Sequence, residues 1–337
     1  MVENGRADQR MDGVKAEAKD KVDQISKKAG RNMPQAIATG ALLVLLVLAS
    51  TIFNPQPFIF LVVIFMLIAL WELRVDFAVV GIRIPLVALW ICSAAQLLSV
   101  YYLPAKDHLA VALAGITATF LVTVIFASIN RKGSERVAEA ALAKVNSGLA
   151  GELEGQTPHS AVLPDGQPER YRNILATCLA VFYVPFLASF IVLPMTMKHY
   201  LAHAIMVIFV PALGDTGGLL FGAWLGKHKL SPRISPKKSW EGLLGSVLFT
   251  LAGTLIIGAC TYASATWRSK WFVLVILGLV IGLVGLFGDL SASIIKRDLG
   301  IKDMGHLLKG HGGVLDRVDS ILMCAPVTFF ILVAAGL

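Results

Sequence analysis

The chain has 337 residues, of which 56% are hydrophobic and only 15% charged, where a soluble globular domain carries about 25% charged residues. That shortfall calls for lipid as the solvent. Stretches of about 20 apolar residues recur and the roughly 10-residue alternating segments of a membrane barrel are absent, so the expected fold is all-α, a polytopic helical bundle.

Residues 1–33 hold eight Lys or Arg and six Asp or Glu with no apolar run. They read as a charged cytoplasmic tail, disordered or loosely helical, rather than as a signal peptide. Four spans are expected at 35–53, 58–73, 77–103 and 109–129 (the first block, 34–129), with the second short and the third long. A polar insert over 130–172 comes next. Five further spans, at 173–193, 200–225, 241–263, 271–290 and 314–337, make about nine in all and form a catalytic half, 173–337.

The net charge of +8 suits nucleic acid, anionic lipid or an anionic substrate, and its distribution decides between them. With the N-terminus inside, every Lys and Arg falls in the tail, in a cytoplasmic loop or near the cytoplasmic end of a span except Lys106, Lys198, Arg268 and Lys270. The basic residues therefore mark topology, N-in and C-out, and no nucleic-acid partner is expected. Cys92, Cys178, Cys260 and Cys324 stand singly in apolar segments with no C-x-x-C spacing, which indicates neither a zinc site nor a redox pair.

Polar residues crowd into three places in the second half: G-D-T-G-G at 214–218, a basic stretch at 226–242, and 288–319. In the first, Asp215 lies well inside a span, where an ionised carboxylate costs about 2.5–3.5 kcal/mol, and its flanking glycines admit a second backbone or a ligand. In the second, Lys227, Lys229, Arg233, Lys237 and Lys238 suit nucleotide phosphates, lipid headgroups or topology alone. Ser235 and Pro236 open a turn, Ser239 is a helix N-cap, and Trp240 and Glu241 are not explained as topology signals.

The third place is the most informative. A helix running on past Asp289 puts Asp289, Ser293, Lys296 and Arg297 on one face, and Asp316 and Asp319 share a face at the start of the last span. Between them the Gly-rich run at 310–313 leads into a helix N-terminus, which favours an anion. Carboxylates facing cations around such a turn are the parts that hold magnesium and a polyphosphate. The alternative is that they are interfacial charges that snorkel and pair with one another.

Ser293, Lys296-Arg297, Lys302-Asp303, His311-Gly312-Gly313, Asp316-Arg317 and Asp319 resemble the signature of the phosphatidate cytidylyltransferases, or CDP-diacylglycerol synthases. S-P-K-K-S-W-E-G and G-D-T-G-G resemble the same family in the expected order, so the likeness covers the chain from about residue 211 onward. It implies transfer of CMP from CTP to phosphatidic acid with release of pyrophosphate. It also implies Mg²⁺, alone or with a second cation, held at Asp289 and Asp316, a homodimer, and a bacterial cytoplasmic membrane with the active-site loops inside. Many members carry Pro where this chain has Lys309 and Glu where it has Ala292. A CTP-dependent kinase or a cytidylyltransferase for another lipid phosphate would need a similar site. A secondary transporter would show two internal repeats, and none is found.

Overall fold

The computed structural model describes residues 33–52, 54–129, 169–231, 234–301, 304–305 and 313–337. The expected tail, most of the 130–172 insert, and Lys302, Asp303, His311 and Gly312 lie outside them. Among the described residues the chain is helical apart from one short hairpin. The helices are α1 (Met33–Ile52), α2 (Pro55–Val79), α3 (Leu86–Tyr102), α4 (His108–Ser128), α5 (Glu169–Thr196), α6 (Tyr200–Leu225), α7 (Trp240–Thr261), α8 (Ser264–Leu299) and α9 (Leu315–Ala335). Among the described residues, α2 and α4 to α9 are long and apolar enough to cross a membrane. At 17 residues, α3 spans about 26 Å, short of a hydrocarbon core of about 30 Å.

Two expected boundaries move. The second and third spans exchange lengths, because α2 continues for 25 residues through Glu72, Arg74 and Asp76 to Val79. Those charges look like a loop in the sequence, but Glu72 and Asp76 are buried against the rest of the protein. The eighth helix runs on past Asp289 as expected and reaches Leu299, 36 residues in all.

Local chemistry starts several helices. Asn54 caps α2 by accepting from the Gln56 N–H at 2.9 Å, with Pro55 in the first turn. Asp107 caps α4 through the N–H groups of Leu109 and Ala110. Within α5 the chain passes through a π-turn, Phe182–Phe186, that contains Pro185. Proline lacks the N–H that a regular α-turn would use, and a π-turn is one way a helix absorbs it.

The largest buried cluster joins α2, α3 and α5 to the ends of α8 and α9, so the motif-bearing half packs on the half that carries no motif. A smaller cluster joins α6, α8 and α9. Helices α6 and α7 cross closely: a Cβ at Gly217 would stand 2.5 Å from the Gly245 carbonyl, and one at Gly245 would stand 2.5 Å from that of Gly217. Small residues at such a crossing let two backbones approach in the absence of a hydrophobic drive. The glycines around Asp215 therefore admit a second backbone, that of α7. Interhelical hydrogen bonds from Thr250 to the Gly278 carbonyl (2.7 Å) and from Thr254 to that of Leu274 (3.1 Å) tie α7 to α8.

Candidate active site

Three helices bring carboxylates together. Asp215 comes from α6, Asp289 from α8, and Asp319 from α9. The α8–α9 crossing is tight at Gly288, where a Cβ would lie 2.8 Å from both the Asp319 carbonyl oxygen and the Ser320 Cα. That contact sets Asp289 beside Asp319. Ser320 joins the third helix: its hydroxyl donates at 3.4 Å to Asp215 and at 3.3 Å to the Gly285 carbonyl. Asp215 keeps an accessible side chain although it lies ten positions inside α6, about 15 Å from the helix end. Lys238, Asp289 and Arg317 are within its electrostatic reach.

The basic stretch expected as a loop is a two-stranded antiparallel hairpin, β1 (Lys229–Ser231) with β2 (Ser235–Ser239). Pro236 lies within β2 instead of opening a turn. The hairpin brings Lys238 into an ion pair with Asp289, and each side chain is about one-third exposed. Ser239 is the α7 N-cap, as expected, accepting from the Gly242 N–H at 3.1 Å. Glu241 closes the hairpin base by accepting from the His228 ring at 2.7 Å and from its backbone N–H. These contacts tie the hairpin to the start of α7. Lys227 is exposed and Ser235 half-buried.

The second acid–base pair joins Lys296 of α8 to Asp316 of α9 at 2.7 Å, with Asp316 only 5% exposed. The other Asp316 oxygen accepts from the backbone N–H groups of Met304 (2.8 Å) and Gly313 (3.3 Å). Gly313 has no room for a side chain, since a Cβ there would overlap the Met304 carbonyl. Lys296 is also within electrostatic reach of Asp319. Ser293 is half-buried and Arg297 exposed on the same helix. Thus the structure places Asp289 with Lys238, Asp215 and Asp319, and places Asp316 with Lys296. Among the described residues no three His, Cys, Asp or Glu side chains come close enough to hold a metal by themselves.

The first turn of α9, expected to take an anion from outside, is capped by the protein itself. Glu72 of α2, fully buried, accepts from the N–H of Val314 at 2.9 Å and from that of Leu315 at 3.0 Å, one with each carboxyl oxygen. Asp76, one turn further along α2, is within electrostatic reach of Asp316 and Lys296. Neither residue stood out in the sequence. Two acids four positions apart in a strongly apolar segment would have been the signal.

Residues 34–335 match the model of the cytidylyltransferase family. The chain is 32% identical over 305 residues to the phosphatidate cytidylyltransferase of Mycobacterium leprae, covering 90% of this chain and 89% of that one. It is 29% identical over 308 residues to the protein of the same name from Mycobacterium tuberculosis, covering 91% and 84%. A stretch of 119 residues is 44% identical to that of a Synechocystis species, covering 35% and 39%. The chain belongs to the cytidylyltransferase family, and with its apolar helices it is an integral membrane protein.

Proposed function

We propose that this chain, as a member of that family, transfers CMP from CTP to phosphatidic acid, giving CDP-diacylglycerol and pyrophosphate for phospholipid biosynthesis. The observation that carries the reading is a lysine–aspartate pair on each of two neighbouring, largely apolar helices, Lys238–Asp289 at α8 and Lys296–Asp316 between α8 and α9. Such a place suits a reaction between a polyphosphate and a lipid phosphate.

A phosphate oxygen of phosphatidate attacks the α-phosphorus of CTP. The new P–O bond forms as the bond to the β,γ-diphosphate breaks, and pyrophosphate leaves with the electron pair. No covalent enzyme nucleophile is needed. Lys296 and Arg297 offset the charge that develops at phosphorus, while Lys238, with Lys227 and Lys237 of the same basic stretch, holds substrate phosphates.

Mg²⁺ binds through one or two carboxylates plus substrate phosphate oxygens, and the donor set here fits that pattern. Asp289 is about one-third exposed and paired with Lys238, so it would hold the ion, with Asp215 and Asp319 adding negative charge nearby. Asp316 already accepts from Lys296 on one oxygen and from two backbone N–H groups on the other, which leaves one acceptor site for the ion. When bound, the ion supplies charge neutralisation at the phosphate oxygens. The active-site loops are assigned to the cytoplasmic side of a bacterial membrane on the Lys/Arg distribution, and a homodimer is proposed by resemblance alone.

The test is pyrophosphate release by purified protein in detergent with CTP, phosphatidate and Mg²⁺, comparing wild type with Asp289→Asn and Asp316→Asn. Release that requires phosphatidate and disappears in both folded variants is expected. A folded wild type that forms CDP and no pyrophosphate would be a lipid kinase, and one that forms neither overturns the reading.

A further inference from the structure

Tyr183 is the second residue of the π-turn in α5 and is 4% exposed. Its hydroxyl has no hydrogen-bond partner among the described residues. A buried hydroxyl left unpaired costs about 1–3 kcal/mol, and the great majority of buried polar groups in folded proteins find a partner. An exception needs an explanation from its surroundings. Here they are the acids of the active site: the phenol lies within electrostatic reach of Asp319, Asp316 and Asp289 together.

Looseness of the helix does not account for the unpaired group. The Pro185 carbonyl accepts from Ser189 at 2.8 Å, and Ser189 in turn accepts from the Gln96 amide of α3 at 2.5 Å, so the π-turn is pinned from one side. On the same turn Phe182 and Phe186 stack with ring centroids 5.1 Å apart. Tyr183 and Val184 lie buried between helices. A π-turn adds a residue to one turn of helix and so rotates every later side chain about the axis, and such turns recur at functional sites. Here the turn holds a hydroxyl that is buried, unsatisfied among the described residues and within electrostatic reach of the acids.

We propose that the Tyr183 hydroxyl is a substrate-contacting group, a hydrogen-bond donor to an anionic phosphate oxygen of the reacting pair. The inference rests on the proposed phosphoryl-transfer function. A phenol is suited to the task among carboxylates, because it donates a proton to an anion without adding charge. The phosphate comes from either substrate, the lipid phosphomonoester or the nucleoside triphosphate, and kinetics separate the two.

The experiment compares wild type with Tyr183→Phe in detergent, measuring the thermal midpoint and the KM for CTP, the KM for phosphatidate and kcat by pyrophosphate release. Since the hydroxyl has no partner among the described residues, the variant is expected to melt at the same temperature or higher. A hydrogen bond to a charged group corresponds to a loss of about ten- to a hundredfold in kcat/KM. A loss confined to KM for phosphatidate identifies the lipid phosphate as acceptor, one confined to KM for CTP the nucleotide, and one in kcat the transferring group. Unchanged kinetics in an active preparation overturns the proposal, as does a lowered midpoint, which would mean that the hydroxyl is bound within the protein. An inactive wild type would instead count against the proposed function itself.

Discussion

Replacing Glu72 with glutamine tests whether the motif-free half of the chain holds the first turn of α9 in place. Each Glu72 oxygen takes one backbone N–H, at 2.9 and 3.0 Å, in a fully buried setting. The amide keeps the shape but turns an NH₂ toward one of those donors, so one hydrogen bond is lost and a buried N–H is left unsatisfied. Neutral hydrogen bonds contribute about 0.5–1.5 kcal/mol and those to charged groups about 1.5–3, which puts the destabilisation of Glu72→Gln at about 1.5–3 kcal/mol. Glu72→Ala removes both bonds and leaves a void, for roughly 3–5 kcal/mol. Thermal unfolding in detergent and initial rates of pyrophosphate release at saturating CTP and phosphatidate are the assays. Since Asp316 sits in the turn that Glu72 caps, kcat is expected to fall along with stability in Glu72→Gln and further in Glu72→Ala. A Glu72→Gln protein with wild-type midpoint and wild-type kcat would mean that the cap neither stabilises α9 nor positions Asp316.

Two further substitutions probe the framework around the site. Gly288→Ala places a methyl group against the Asp319 and Ser320 backbone, which cannot yield as a flexible side chain would. A destabilisation of about 1–3 kcal/mol and a lower rate are expected, read by thermal unfolding and pyrophosphate release. Glu241→Gln weakens the link to His228 that closes the hairpin carrying Lys238. Faster proteolytic cleavage within 229–239 is expected, with the helices unaffected.

The helical part of this fold was legible because lipid solvent leaves few alternatives: long apolar runs must be helices, and the run ending at Leu299 kept its polar residues on one helical face. Ser239 was legible as a cap for a similar reason, since a short hydroxyl before an apolar run has one common use. The hairpin was not, because strands of three and five residues rich in Lys, Ser and Pro carry no alternation that separates them from a loop. The end of α2 was misplaced for a physical reason. Hydropathy treats Glu72 and Asp76 as residues that must reach water, whereas the groups that hold Glu72 come from the start of α9, some 240 positions later. Tyr183 had no local signal, as an aromatic in an apolar helix is ordinary until its hydroxyl is found without a partner.

Asp215, Asp289, Asp316, Asp319, Glu72 and Asp76 bring six carboxyl groups into one region, and Lys238 and Lys296 pair with two of them. Two backbone N–H groups quiet Glu72 and two more quiet one oxygen of Asp316, while Asp215, Asp289 and Asp319 lie close to one another, with Lys238 and Arg317 within electrostatic reach of Asp215. Both substrates of the proposed reaction are themselves anionic. Bringing them beside those three carboxylates in a region of low dielectric is unfavourable unless positive charge arrives with them. In the proposed reaction a divalent ion entering with CTP would meet that requirement, and each lysine, which stands against a carboxylate in the free protein, would turn to phosphate in the complex. Acids too few, among the described residues, to hold an ion by themselves would, on that proposal, make binding of the nucleotide conditional on the ion.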